Sequence, residues 1–408
     1  MFNFLKKLGP GILFAGAAIG VSHLVQSTKA GADFGFGLVW ALLLVNLFKF
    51  PFFQYGPKYA NATGESLLEG YKKLGANILY FYVIISLATM FTIQTAVTIV
   101  TAGIASSLTN NIISVEQWTI IILIVCSVLL YFGKYKMLDK MIKIVISILA
   151  LSTILATCLA FNNFSYDFNL SQVLPKNNIE IAFLIAFMGW MPAPLDISVW
   201  HSIWTIEKNK SDGIQEMKTT LFDFNVGYFG TIVLGISFVL LGYFVMNGSN
   251  LSFSSSATTF ATQLIKMYTS TFGSWSYILI GLATFTTMFS TTITTLDASP
   301  RAMHKATELI SNKKIKNGYI YWLFFLVIGT ITIFFNFNSE MGTLVKVATI
   351  VSFITAPFYA IINYILISSS HTPEKYRPTT FMHILSTIGI FFLLGFGIWY
   401  LSTLGLFI

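Results

Sequence analysis

Eleven predominantly apolar runs follow one another along this chain, at 10 to 31, 34 to 57, 77 to 106, 115 to 133, 140 to 162, 180 to 204, 221 to 247, 273 to 298, 318 to 337, 341 to 368 and 381 to 407. Each is long enough to cross the hydrocarbon of a bilayer as a helix, which takes roughly 20 residues. Inside hydrocarbon every backbone N–H and C=O has to find a partner, and a lone helix is the element that satisfies its own. The chain is therefore read as an all-α polytopic membrane protein with the lipid bilayer as its solvent. With 55% hydrophobic and 10% charged residues it lacks the charge to cover a soluble surface. The formal charge of +8 sits in short loops between runs, so nucleic acid is not expected as a partner. No small-residue cleavage site follows the first run, and no removable signal peptide is expected. Cys126 and Cys158 lie within apolar runs and support neither a disulfide framework nor a zinc site. No HExxH, GxSxG or P-loop pattern occurs, so an enzyme is not expected. A sensor or scaffold is the remaining alternative to a transporter.

Charge placement orients the chain. If the N-terminus is cytoplasmic, all lysines and arginines fall in cytoplasmic segments except Lys29, Lys49, Lys176, Lys266 and Lys346. Positive residues favour the cytoplasmic side, which predicts a multi-pass protein of the cell inner (plasma) membrane with its C-terminus outside.

Two of the spans do not read as regular helices. Span 1, GPGILFAGAAIGVSHLVQSTKAGA from Gly9 to Ala32, combines Gly9, Pro10, Gly11, Gly16 and Gly20 with a polar cluster, Ser22, His23, Gln26, Ser27 and Thr28, at membrane depth. The alternatives are a helix broken at Gly20 to His23 and a continuous glycine-rich helix packed closely on its neighbours. In span 6, Pro192 and Pro194 each remove an N–H donor and obstruct the preceding turn, so a break is predicted from Met191 to Asp196. Spans 1 and 6 occupy corresponding places in two sets of five, and five being odd, the second set runs inverted. The expected organisation is a first repeat at 1–163, an inverted second repeat at 180–370 and an eleventh helix at 381–408. Paired broken helices in inverted halves point to a midplane binding site.

The residues also resemble a known family, the Nramp divalent-metal transporters. The resemblance rests on GPG at Gly9 to Gly11, AGADFGFGLVW at Ala30 to Trp40, LLLVNL at Leu42 to Leu47, TGESL at Thr63 to Leu67 and STTITT at Ser290 to Thr295. It implies a LeuT-type inverted repeat of 5+5 helices plus an eleventh, and a secondary-active transporter of a small inorganic ion working by alternating access. The family's metal-binding Asp-Pro-Gly-Asn is replaced here by Gly20, Val21, Ser22 and His23, and the histidine of its Met-Pro-His by Ala193 after Met191 and Pro192. Span 3 also lacks the family's proton-relay carboxylates.

These departures shape the expected site. A divalent cation without an anionic ligand meets a large desolvation penalty, whereas helix N-termini favour anions. The substrate set is Gly20, Val21, Ser22, His23, Gln26, Met191, Pro192, Ala193, Pro194 and Asp196, and bicarbonate coupled to Na⁺ fits it best. The alternative is a Mn²⁺, Fe²⁺ or Mg²⁺ transporter using His23, Met191 and Asp196. Asp196 is also placed to cap the second half of span 6. Na⁺, the one coupling ion expected, is assigned to Ala18, Val21, Ser290, Thr291 and Thr292, and no other cofactor is expected. The alternative for the hydroxyls is bonding back to their own helix. Thr291→Ala and Thr292→Ala are each expected to raise the Na⁺ requirement. Lys49, inside span 2, needs a partner: it neutralises Asp196, attracts anions or snorkels. Asp297 and Arg301, one turn apart, are candidates for a gate, and the Ser/Thr-rich loop from Asn247 to Ser274 for a lid. The sequence sets neither the substrate's identity nor the oligomeric state.

Overall fold

A computed structural model describes residues 9–132, 135–162, 169–246, 253–336 and 341–405. Span 1 is α1 (Pro10–Ala18) and α2 (Thr28–Phe34), joined through a π-helical segment at Ser22–Ser27. Span 2 is α3 (Val39–Thr63), and a short helix on one membrane face, α4 (Leu67–Leu74), leads to span 3, α5 (Ala76–Leu108). Spans 4 and 5 are α6 (Val115–Phe132) and α7 (Tyr135–Asn162). Span 6 is split into α8 (Asn178–Gly189) and α9 (Ile197–Asp212). Span 7 is α10 (Met217–Met246) and span 8 is α12 (Tyr277–Ser311). Between them lies α11 (Ala257–Phe272), a helix in the segment read as a loop; residues 247–252 of that segment lie outside the described residues. Spans 9 to 11 are α13 (Gly318–Asn336), α14 (Met341–Ser368) and α15 (Thr380–Thr403).

Seven of these helices are individually long and apolar enough to cross a membrane, and the bent pair of span 1 makes an eighth. The other three spans are α3, which carries two lysines, α7, whose apolar part is Ser147–Asn162, and the interrupted α8 and α9. Apolar side chains such as Ile124 and Val128 on α6 and Phe391 on α15 stay exposed, as a lipid-facing surface requires.

Both readings of span 1 hold together. The helix breaks, with its axis turning by 46° between its halves, and its glycines pack. A methyl group at Gly11 would collide with the Asp223 carbonyl of α10, and one at Gly227 with the Gly11 carbonyl. At the other end Gly31 meets the Val239 carbonyl and Gly242 the Thr28 carbonyl in the same way. In lipid, helices associate by close packing rather than by a hydrophobic drive, and small residues let two backbones touch. Glycines at both ends of span 1 thus clamp it along α10, and the break lies between the clamps.

Candidate functional site

The break in span 1 lies at Ile19 and Gly20, slightly before the predicted Gly20 to His23, and Val21 is already helical. Space decides this: a Cβ at Gly20 would stand 2.7 Å from Thr291 Oγ1 of α12, so Gly20 lets the turn press against span 8. Beyond it Ser22–Ser27 forms a π-helical turn, and Ser27 Oγ and Thr28 Oγ1 donate to the carbonyls of Ser22 and His23, five residues back. The break in span 6 runs from Trp190 to Asp196, one residue earlier at its start than the predicted Met191 to Asp196, with a cis Met191–Pro192 peptide.

A cavity of about 20 Å³ lies between the two breaks, room for one water-sized body. Ala17, Ala18, Val21 and Ser22 of span 1 line it with Trp190, Pro194, Ile197 and Trp200 of span 6, Ile93 and Val97 of α5, and Thr291 and Thr295 of α12. Its walls are apolar apart from three hydroxyls. Of the predicted substrate set, Val21, Ser22 and Pro194 line it, and Gly20 lies against Thr291.

The other members of the set point elsewhere. His23 is fully buried, with Nε2 2.9 Å from the Thr231 carbonyl of α10 and Nδ1 2.7 Å from Ser22 Oγ. A carbonyl accepts only, so Nε2 is the donor. The Met191 sulfur and the His23 ring both approach Gly235 of α10, behind span 1 and off the cavity wall. Gln26 lines a different cavity, on the α11 face, and Ala193 turns its carbonyl to Lys49. Asp196 occupies the N-cap position of α9, yet its side chain makes no capping bond there and its buried Oδ1 has no partner. Among the described residues, no three His, Cys, Asp or Glu side chains come together as a metal set.

Lys49 is buried within span 2 rather than snorkelling, near enough to Asp196 for their charges to attract. Its fully buried Nζ donates to the carbonyls of Met188 and Gly189 at 2.8 Å each, and of Ala193 at 3.3 Å. The ammonium closes the C-terminal end of α8, where the helix runs out of N–H donors and its dipole favours a cation.

The hydroxyl row of α12 divides. Thr291 Oγ1 faces the break and donates to the Gly16 carbonyl at 3.1 Å and, more weakly, to that of Ile19 at 3.4 Å, in place of the expected carbonyls of Ala18 and Val21. The Ala18 carbonyl already accepts from Ser22 Oγ at 2.6 Å. Thr292 is turned away, pairing with Thr101 Oγ1 of α5 at 2.7 Å and with its own Met288 carbonyl, so the assignment of Thr292 to a Na⁺ site with span 1 is corrected. Ser290 Oγ is buried without a partner. Thr295 Oγ1 donates to Gln94 Oε1 of α5 at 2.7 Å. Gln94 is not among the residues expected from the sequence, because span 3 carries no carboxylate and an uncharged amide does not stand out there. Its sequence signal is an intramembrane amide in span 3.

Two larger cavities flank the small one. On the α11 face, about 330 Å³ is lined by Val25, Gln26 and Lys29, by Ala186 of α8, and by residues around α11 and the start of α14. On the α4 face, about 380 Å³ is lined by Ser66, Glu69, Ile203, Glu207, Lys210, Arg301, Lys305 and Tyr319. Val25 and Gln26 stand one turn beyond Val21 and Ser22, Ala186 one turn before Trp190, and Ile203 one turn after Trp200. The three spaces therefore lie in series, the middle one by far the narrowest. On the α4 face Arg301 Nε donates to Asp297 Oδ2 at 2.6 Å, and Tyr319 donates to Oδ1 at 2.7 Å. Lys305 bonds Glu69 at 2.8 Å, and Glu69 closes the capping box of α4 with Ser66. Burial pushes the Glu69 carboxyl up, but the Lys305 ammonium and the Ser66 N–H more than offset it and hold the group below its usual range.

Asp223 of α10 is a second functional side chain outside the set expected from the sequence. Its two carboxylate oxygens accept from the backbone N–H groups of Gly9 at 2.9 Å and Gly11 at 2.8 Å. A charged group in span 7 thus caps the first turn of α1, where Pro10 brings no donor of its own.

A family model described as natural resistance-associated macrophage protein-like (Nramp) matches residues 11–403. An uncharacterized protein of Pasteurella multocida (strain Pm70) is 33% identical, the match covering 97% of this chain and 92% of the relative. The metal transporter Nramp6.1 of Populus trichocarpa is 22% identical over 98% of this chain and 74% of its own. Among solved structures, the manganese transporter of Eremococcus coleocola superposes with a TM-score of 0.76 at 12% identity, covering 98% of this chain and 87% of that one. Mhp1, a nucleobase-cation-symport-1 family transporter in a closed conformation, gives 0.58 at 15% identity, covering 98% and 94%. These likenesses establish the LeuT-type fold, two inverted sets of five helices followed by an eleventh.

Proposed function

Because the chain belongs to the Nramp family of membrane transporters, we propose that it carries a small inorganic ion across the bilayer by alternating access, with the cavity between the two broken helices as its transport site. One observation carries the reading: a narrow cavity at both helix breaks, with a wide cavity in series on each side. That is the arrangement expected of an occluded state. The Lys/Arg distribution supports the α4 face as cytoplasmic. The Asp297–Arg301–Tyr319 cluster then stands at the inner exit, in keeping with a gate.

Two readings of the ion follow. The comparisons better support a divalent metal cation: relatives of the family are named for metal and manganese. Asp196, with a partnerless carboxylate oxygen between cavity residues Pro194 and Ile197, is then the anionic ligand. His23 would first have to leave the Thr231 carbonyl. A small anion such as bicarbonate is the second reading, since the lining offers hydroxyls and the start of a helix but no carboxylate, and it requires the cavity to widen beyond its room for one water-sized body. Uptake into proteoliposomes of Mn²⁺, Mg²⁺ and bicarbonate, each with and without a Na⁺ gradient, separates the two. Robust Mn²⁺ uptake that bicarbonate does not match eliminates the anion reading; Na⁺-driven bicarbonate uptake without Mn²⁺ flux eliminates the other.

Na⁺ coupling is proposed at Thr291 with the Gly16 and Ile19 carbonyls. Losing one oxygen ligand costs about 0.5–1.5 kcal/mol, so Thr291→Ala should raise the half-saturating Na⁺ concentration about two- to twelvefold. Thr292→Ala, whose hydroxyl faces α5, should change it far less. Uptake that ignores Na⁺ and follows an imposed pH gradient would sink the coupling proposal.

A further inference from the structure

We propose that the cavity between the two helix breaks is a hard-cation site whose ligands are hydroxyl oxygens, Ser22 Oγ of span 1 and Thr295 Oγ1 of α12, rather than the imidazole of His23 and the thioether of Met191. This rests on the divalent-metal reading of the transport site and names the atoms that hold the ion.

A hydroxyl carries one proton and two lone pairs, so the destination of the proton decides what the oxygen offers a ligand. Thr295 Oγ1 donates to Gln94 Oε1 at 2.7 Å and, less directly, to the Thr292 carbonyl at 3.1 Å. The Gln94 amide is held the way round that this requires. Its Nε2 lies 3.3 Å from the Thr292 carbonyl, which only accepts, and 3.2 Å from Thr98 Oγ1, whose own proton goes to the Gln94 carbonyl at 2.6 Å. The Ser22 proton goes to the Ala18 carbonyl, 2.6 Å away, beside His23 Nδ1 at 2.7 Å. Both hydroxyls line the cavity, and with their protons taken up they meet its occupant as acceptors. An anion has to break one of these bonds to be held by either, whereas a cation finds the lone pairs ready. Thr291, the third hydroxyl of the lining, gives its proton to span 1 in the same manner and stays assigned to Na⁺.

The softer donors lie off the wall. The Met191 sulfur and His23 Nε2 both approach Gly235 of α10, and Nε2 is committed to the Thr231 carbonyl. Oxygen ligands suit Mg, Ca and Mn, while thioether and imidazole suit softer metals. Room for one water-sized body admits a cation stripped of most of its hydration shell. That disfavours Mg²⁺, which dehydrates reluctantly, and makes Mn²⁺ the probe. Negative charge comes from Asp196, between cavity residues Pro194 and Ile197, whose buried Oδ1 has no partner. The Lys49 ammonium that attracts Asp196 is itself tied to three carbonyls of span 6.

The test is Mn²⁺ binding to the purified full-length protein in detergent, read as loss of the free-ion signal in electron paramagnetic resonance, in a background lacking Cys126 and Cys158. Thr295→Val keeps the shape, removes the oxygen and should raise the Mn²⁺ Kd about two- to twelvefold, the scale of one lost polar contact. Thr295→Ser keeps the oxygen and should bind like the parent, as should Met191→Leu. Ser22→Cys exchanges a hard oxygen for a soft sulfur, so Mn²⁺ should bind more weakly and the affinity for Zn²⁺ relative to Mn²⁺ should rise. A misfolded variant cannot produce that gain. Unchanged Mn²⁺ binding by Thr295→Val, an unchanged ratio in Ser22→Cys, or a loss in Met191→Leu as large as that in Thr295→Val each overturns the hydroxyl site and leaves the metal reading in place. A parent that binds no Mn²⁺ overturns both.

Discussion

Lys49→Met should cost the protein roughly 3 kcal/mol or more of stability and abolish most of its transport. The charge is not decorating the pathway; it holds the broken end of span 6 together. Three carbonyls, those of Met188, Gly189 and Ala193, converge on one ammonium that has no solvent exposure. α8 stops at Gly189, and Pro192 and Pro194 bring no N–H groups of their own, so these carbonyls have few backbone donors within reach. A hydrogen bond to a charged group contributes about 1.5–3 kcal/mol, and an unpaired carbonyl at membrane depth is costly by itself. Methionine fills the volume of lysine's stem and restores none of the three bonds. Arginine retains the charge, but its planar fork does not fit three oxygens gathered around a point, so Lys49→Arg should rescue only in part. Thermal unfolding in detergent and uptake into proteoliposomes, run on the same preparations, check this. A Lys49→Met protein that melts and transports like the parent would show that the carbonyls are satisfied some other way.

Asp223→Ala should release α1. The Asp223 carboxylate takes the first N–H groups of the helix, and the cap is strong because an anion meets the positive end of the helix dipole. An anion at a partly buried helix N-terminus contributes up to about 2 kcal/mol, which holds the end of α1 against α10 with roughly a thirtyfold bias towards the docked position. The Gly11–Gly227 contact stays, so the variant should still fold. The readout is thiol labelling of an Ile12→Cys reporter in a background lacking Cys126 and Cys158. Labelling should quicken by about that thirtyfold with Asp223→Ala, and less with Asp223→Asn, which keeps one acceptor. Unchanged labelling and unchanged uptake would mean that α1 is held by packing alone.

Much of the architecture was legible because its causes are local. Hydropathy marks each span, since a helix in lipid has to be apolar wherever its neighbours lie. Pro192 and Pro194 break span 6 because proline lacks a donor in any context, and the break runs from Trp190 to Asp196. The spacing of spans 1 and 6 across an odd number of helices was enough to read two inverted halves.

The identity of the site's walls was settled by tertiary structure alone. His23 looked like a ligand because it lies at a break, but the π turn aims its ring at the Thr231 carbonyl of span 7, 208 residues away. Thr291 and Thr292 are neighbours of equal chemistry, yet a helix separates adjacent side chains by about 100°, so one meets span 1 and the other span 3. Nothing near Lys49 in the chain announces three carbonyls of span 6, and nothing near Gly9 announces Asp223. Apolarity and helix breaking are properties that a residue brings with it. The direction of a side chain, and the partner that neutralises it, depend on which helix packs opposite, and in this chain close glycine contacts between distant spans decide that.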